Sequence, residues 1–279
     1  MAFDVDPGSY AQSPDGTSAI QAVGGYRTST HLKYSGSGVA TSKAGDAKDS
    51  RVATESMLVH YTGFYEVAGV MIDPHIFIPY GSYNHARISG VNLNGATGWG
   101  DPGVAIVVAP IHTPDNSHVL GFGFGGFFPM GQYEKGKTFN MGENRWKGIF
   151  QIDTIQQIVD DWFFAGSVDV TAYSDNTNAG STGRQVLSQE LTYQVQPWIR
   201  YRVIPGINIS AGYSQTYGGK QRLDGVENGA ESNARQIRLD LLGSPIDGVF
   251  MGIQLGRDIA TEGNYRESLR ISGRITYLF

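Results

Sequence analysis

Residues Leu269-Arg270-Ile271-Ser272-Gly273-Arg274-Ile275-Thr276-Tyr277-Leu278-Phe279 alternate in character. One parity carries Leu269, Ile271, Gly273, Ile275, Tyr277 and Phe279; the other carries Arg270, Ser272, Arg274 and Thr276. A period of two puts one set on each face of a strand. The same two-faced pattern recurs upstream. Met57, Val59 and Tyr61 alternate with Leu58 and His60, Ile207, Ile209 and Ala211 with Asn208 and Ser210, and Val249, Met251 and Ile253 with Phe250 and Gly252. Segments of about ten residues with this dyad period are those of strands that cross a bilayer at a tilt.

Composition agrees. Charged residues make up only 17% of the 279, against 40% hydrophobic and 11% aromatic, and 38 are glycine. No run approaches the roughly 18 apolar residues of a spanning helix. Acids outnumber Lys plus Arg, 26 to 21, which argues against a nucleic-acid binder. The absence of cysteine excludes disulfide scaffolds, thiolate metal sites and Cys nucleophiles. The start, Met1 to Asp6, has neither a basic n-region nor an apolar h-region, as in a mature chain with an initiator Met added. The aromatic Phe279, preceded by apolar residues at alternate positions, resembles the C-terminal signature that outer-membrane barrels present to their assembly machinery.

The pattern predicts an all-β fold: a closed, antiparallel transmembrane β-barrel of about twelve strands. The strands are expected near 18–31, 52–66, 70–86, 99–112, 118–133, 144–156, 161–174, 187–204, 206–217, 233–243, 247–259 and 265–279. Short links, such as Ala68-Gly69 and Pro205, alternate with long polar ones at 32–51, 87–98, 134–143, 175–186 and 219–232. This alternation predicts short periplasmic turns and longer extracellular loops. Residues 1–17 read as an N-terminal periplasmic segment and 18–279 as the barrel. Pro79, Pro110, Pro129 and Pro197 fall inside predicted strands, where proline removes a ladder hydrogen bond, so they are candidate openings in the wall.

An ordered set of residues adds a resemblance. Asp73-Pro74-His75, Ile78-Pro79-Tyr80-Gly81, Gly98-Trp99-Gly100-Asp101-Pro102, Asn144-Arg145-Trp146-Lys147, Trp162, Tyr173-Ser174-Asp175-Asn176, Gly212-Tyr213 and Tyr217-Gly218-Gly219 follow one another along the chain. Together with the aromatic C-terminus, this order resembles the MetA-pathway phenol-degradation family of Proteobacterial outer-membrane channels. The resemblance implies a monomeric twelve-stranded barrel for passive uptake of small hydrophobic or aromatic compounds, leaving sideways through the wall.

If the apolar parity faces lipid, the other lines the lumen. The candidate lumen-lining residues are Arg200, Arg202, Arg266, Arg270, Arg274, Lys147, Asp73, His75, Asp169 and Glu190, with Arg27, His60, Arg238 and Asp240 among others of like parity. Arg266, Arg270 and Arg274 read as a row on the last strand. A narrow Arg-lined porin for anionic solutes or acidic sugars is the first alternative. A lipid-modifying outer-membrane enzyme is the second, although none of the six histidines sits in a nucleophile motif. A soluble all-β binding protein is the third. No catalytic residue, metal or cofactor is expected; His112 and His118 flank a turn without further ligands. Outer-membrane lipid, lipopolysaccharide, small solutes and the barrel-assembly machinery are the expected partners, with no nucleic acid.

Overall fold

The computed structural model describes residues 4–35 and 45–279. Twelve long strands form the wall. They are β1 (Ser18–Tyr34), β2 (Gly45–Gly63), β3 (Val70–Ile88), β4 (Gly103–His112), β5 (His118–Phe127) and β6 (Lys147–Val159), followed by β7 (Trp162–Tyr173), β8 (Thr192–Ile204), β9 (Ile207–Gly218), β10 (Asn233–Ile246), β11 (Val249–Glu262) and β12 (Tyr265–Leu278). Each pairs antiparallel with its neighbours, and β1 pairs β12 from Ala19↔Leu278 to Leu32↔Tyr265. The sheet is therefore closed, which satisfies backbone groups that lipid cannot.

Side-chain parity follows the pattern read from the sequence. Leu269, Ile271, Ile275 and Tyr277 point outward and are exposed, whereas Arg270 and Arg274 are buried inside. Outward aromatics collect in two belts. Trp162 with Tyr201 (ring centroids 4.7 Å apart) and Tyr277 with Phe279 (5.7 Å) mark the end carrying the short turns. Tyr80 with Trp99 (5.1 Å), Phe128 with Trp146 (5.3 Å) and Tyr193 with Tyr217 (5.2 Å) mark the other. Aromatic girdles at both interfaces belong to transmembrane barrels. At the short-turn end, Ala68 and Gly69 both adopt left-handed φ values, 54° and 81°. A two-residue hairpin with two positive φ angles matches the twist of its strands.

Several boundaries differ from the sequence reading, each for a local reason. β5 ends at Phe127, so Pro129 lies beyond it. β4 starts at Gly103, because Gly100-Asp101-Pro102 breaks it from Ala96–Trp99, which pairs separately with β3. β8 begins at Thr192; the preceding Gln185–Gln189 joins a small extracellular sheet with Asn176–Ala179, Gln221–Leu223 and Val226–Glu227.

Inside, Trp198 is 2% exposed and packs with Val119, Ile155, Phe163 and Ala165. Gly212 faces it across the β8–β9 ladder, where a Cβ would run into the indole ring. Gly212→Val should therefore cost roughly 1–3 kcal/mol through overpacking. Urea unfolding in lipid vesicles checks this; a variant as stable as the parent contradicts the packing.

Candidate functional site

The lumen has two unlike sides. One is filled by charge. The inward faces of β10, β11 and β12 carry Arg238 and Asp240, Gln254 and Asp258, and Arg270 and Arg274, all buried. Arg274 binds Asp240 with two parallel bonds, Nη1 to Oδ2 at 2.7 Å and Nη2 to Oδ1 at 2.9 Å. Arg270 Nε donates to Glu267 Oε1 at 2.5 Å.

The N-terminal segment completes this network. The sequence reading put it in the periplasm; instead it runs up inside the barrel. Asp4 Oδ2 accepts from Arg270 Nη1 at 2.5 Å and from Arg27 Nη2 at 3.4 Å, and Asp4 Oδ1 lies 3.7 Å from Arg238 Nη1. Asp6 sits 3.3 Å from Arg274 Nη1 and accepts from Gln254 Nε2 at 2.7 Å. The Val5 amide donates to Gln196 Oε1 at 3.1 Å, and Tyr10 joins the apolar cluster around Trp198. Nearer the periplasm, the Gln12 amide donates to Asn116 Oδ1 at 2.6 Å, and the Glu66 amide to Asp15 Oδ1 at 2.8 Å. Arg27, Arg238, Arg270 and Arg274 thus face Asp4, Asp6, Asp240 and Glu267. Two of those four carboxylates belong to the segment. Buried guanidinium groups need such partners, because an unpaired charge away from water is costly.

The other side carries small side chains along one hairpin, flanked by the buried Asp73 on β3 and the buried Gln151 and Asp153 on β6. The inward positions of β4 are Gly103, Ala105 and Val107; those facing them on β5 are Phe127, Gly125 and Gly123, followed by Gly121. Phe122 and Phe124 take the outward parity. The wall there is a smooth strip with its bulk turned to lipid. Rings border it. His60 stacks on Phe77 at 4.5 Å, and Phe77 lies 6.1 Å from Phe127. Lys147 Nζ, paired with Glu143 Oε1 at 2.7 Å, stands 5.0 Å from the centre of the Phe127 ring. His60 Nε2 and His75 Nδ1 share a hydrogen bond of 2.8 Å, and Thr62 Oγ1 lies 3.0 Å from both. Such a border can stack a flat ring and exchange hydrogen bonds with a polar substituent.

The expected site residues divide accordingly. Arg270, Arg274, Arg200, Lys147, Asp73, His75 and Asp169 face inward. Arg200 lies 4.3 Å over the Phe163 ring. Arg202 sits at the periplasmic rim, 3.8 Å from Asp161. Glu190 is outside the lumen, bound to Arg222 at 2.7 Å beside the small extracellular sheet. Arg266 leaves the supposed row, because a register shift between Thr28 and Ser29 turns Glu267 inward instead. Asp4, Asp6 and the glycine strip were not singled out. The Gly-Phe alternation of residues 121–126 was the available signal for the strip.

Three of the four prolines coincide with interrupted ladders. The β3–β4 pairing stops at Phe77↔Gly103 and β3 pairs again from Tyr80↔Trp99; between them, Gly100 N–H donates to the Pro79 carbonyl at 2.9 Å. The β4–β5 ladder skips Ala109 and Pro110, and the β8–β9 ladder skips Gln196 and Pro197. Pro129 belongs to the chain that lines the first gap: Phe128 N–H donates to Pro102 O, and Gln132 N–H to Trp99 O.

Comparison with known proteins follows from this geometry. The profile of the family described as "Putative MetA-pathway of phenol degradation" matches residues 28–275. A crystal structure of an outer-membrane channel from Pseudomonas putida F1 superposes with a TM-score of 0.89 at 24% identity, covering 99% of this chain and 100% of that one. A mutant of the TodX monoaromatic hydrocarbon channel gives 0.54 at 10% identity, covering 95% and 91%. The β domain of the Bordetella autotransporter BrkA gives 0.53 at 9%, covering 95% and 100%. No curated protein matches the chain.

The plug makes a prediction. Burial opposes ionisation of Asp4, but Arg270, Arg238 and Arg27 outweigh it and hold the carboxyl well below the usual carboxylate range. A depressed pKa gives stability that is present above the unfolded value of about 3.9 and lost only as pH falls through the folded value. Mild acid should therefore leave the segment docked. Asp4→Asn with Asp6→Asn should instead raise single-channel conductance at least about twofold and shift reversal potentials toward anions, since two carboxylates vanish from among the arginines. Planar-bilayer recording checks this; unchanged conductance and selectivity contradict it.

Proposed function

The chain belongs to the MetA-pathway phenol-degradation family, and on that premise we propose that it is a passive outer-membrane channel of a Gram-negative bacterium for small aromatic and other hydrophobic molecules. The observation that carries this reading is the bare strip on β4 and β5. Gly121, Gly123, Gly125, Ala105 and Val107 present a smooth uncharged surface between Asp73 and Asp153, and His60, Phe77 and Phe127 offer rings to stack on. A polar or anionic solute gains little there. Arg270 and Arg274, which an anion porin would use, are engaged by Asp4, Asp6, Asp240 and Glu267. Passive diffusion suits a site that binds weakly enough to release.

Efflux of a monocyclic aromatic from proteoliposomes tests the strip. Gly123→Phe should slow it at least about fivefold by narrowing the passage, whereas Gly148→Phe, which points to lipid, should not. Equal rates for both variants would sink the reading.

The exit is proposed to be lateral, at the gap between β3 and β4. There, irregular chain from Gly100 to Pro102 and from Phe128 to Gln132 replaces ladder, with the exposed apolar side chains of Trp99, Met130 and Trp146 around it. Joining Trp99→Cys to Gln132→Cys by a disulfide should slow release of hydrophobic solutes into the bilayer while leaving ion conductance intact. Unaltered release by the oxidised variant argues against a wall exit.

A further inference from the structure

The hairpin of β11 and β12 is split at its extracellular end. The two strands pair from Val249↔Tyr277 up to Gly256↔Arg270 and no further. Above that level β11 stays with β10, up to Asn233↔Glu262, and β12 stays with β1, up to Leu32↔Tyr265. The Arg266 guanidinium crosses the split, donating to the carbonyls of Asp258 and Ile259 at 3.4 Å. The inner side is closed by the Asp258 carboxylate, which accepts from the Glu267 amide at 2.7 Å and from Gln236 Nε2 at 3.1 Å.

The outer side is open and basic. A cleft of about 250 Å³ is lined by Lys33, Arg235, Ile259, Glu262 and Arg266. Arg235 lines the cleft, and Arg257, just below its lining, takes the same outward parity opposite Ile237; Leu239, Leu255 and Ile253 continue the lipid-facing column beneath them. Among the described residues, no carboxylate lies within ion-pair distance of Arg235, Arg257 or Arg266. Glu262, the acid in the cleft, accepts from Asn233 Nδ2 at 3.3 Å. Arginine on a lipid-facing parity is tolerated near the interface and costly toward the midplane, and its planar fork matches phosphate oxygens.

We propose that this split end holds the phosphate of an anionic outer-leaflet lipid, with Arg235, Arg257 and Arg266 as its ligands. The acyl chains lie along the column below. The apolar column is what assigns the phosphate to a lipid: a free anion would gain nothing from Ile237 and Leu255. The site is independent of what passes through the lumen.

Binding of fluorescent bisphosphorylated lipid A to the purified barrel in detergent tests the proposal. Arg235→Gln with Arg257→Gln spares the structural Arg266 bridge. The double variant should keep its heat-modifiable gel shift and bind at least about tenfold more weakly, as expected for loss of charge-assisted bonds. Dephosphorylated lipid A should bind both proteins equally, and excess inorganic phosphate should not displace the labelled lipid. Equal affinity of both proteins for lipid A would overturn the site. Displacement by inorganic phosphate alone would overturn its assignment to lipid.

Discussion

A backbone amide in lipid has no water to turn to, and each unpaired group there costs several kcal/mol. That constraint explains why β1 must find β12, and why the chain needs twelve strands of regular ladder around a closed wall. It also locates the exceptions. The gap at Gly100–Pro102 and the split end of β11 and β12 both lie toward the extracellular side, and each is bridged. Pro79 O accepts from Gly100 across the first, and Arg266 donates to two carbonyls across the second. At these two places the wall is relaxed where side chains or a neighbouring loop supply the missing partners.

Closure fixes the outside but leaves the inside to be filled, and the chain fills it unequally. Toward β10–β12 the filling is ionic and depends on the first residues of the chain. Along β4 and β5 the wall itself contributes only small side chains. These halves need each other. The ionic half, held together by Asp4 and Asp6, engages Arg270 and Arg274 and keeps them from drawing anions toward the β4–β5 side.

The sequence made the wall legible because parity is a local property. The alternation at Leu269–Phe279 separates the buried Arg270 and Arg274 from the exposed Leu269 and Ile271, and the twelve strands emerged from the same signal. Features set by irregularity or distance were not legible. One register shift near Ser29 was enough to remove Arg266 from its row. Glu190 escaped the lumen because its segment pairs with distant residues 221–223 above the barrel. The N-terminal segment has no period at all. Its place is decided by partners such as Arg270, which lies at the opposite end of the chain and gives no local hint of the contact.

The seam has a consequence for assembly. In the register of β1 on β12, Arg27 lies directly opposite Arg270. Zipping these strands together brings two like charges side by side. Asp4 and Glu267 stand between them, Asp4 at 3.4 Å from Arg27 and 2.5 Å from Arg270. Asp4 precedes β1 in the chain and travels with it. Closing the β1–β12 seam and neutralising its repulsion therefore draw on the same end of the chain, and a barrel closed without Asp4 would have to hold that repulsion in this joint.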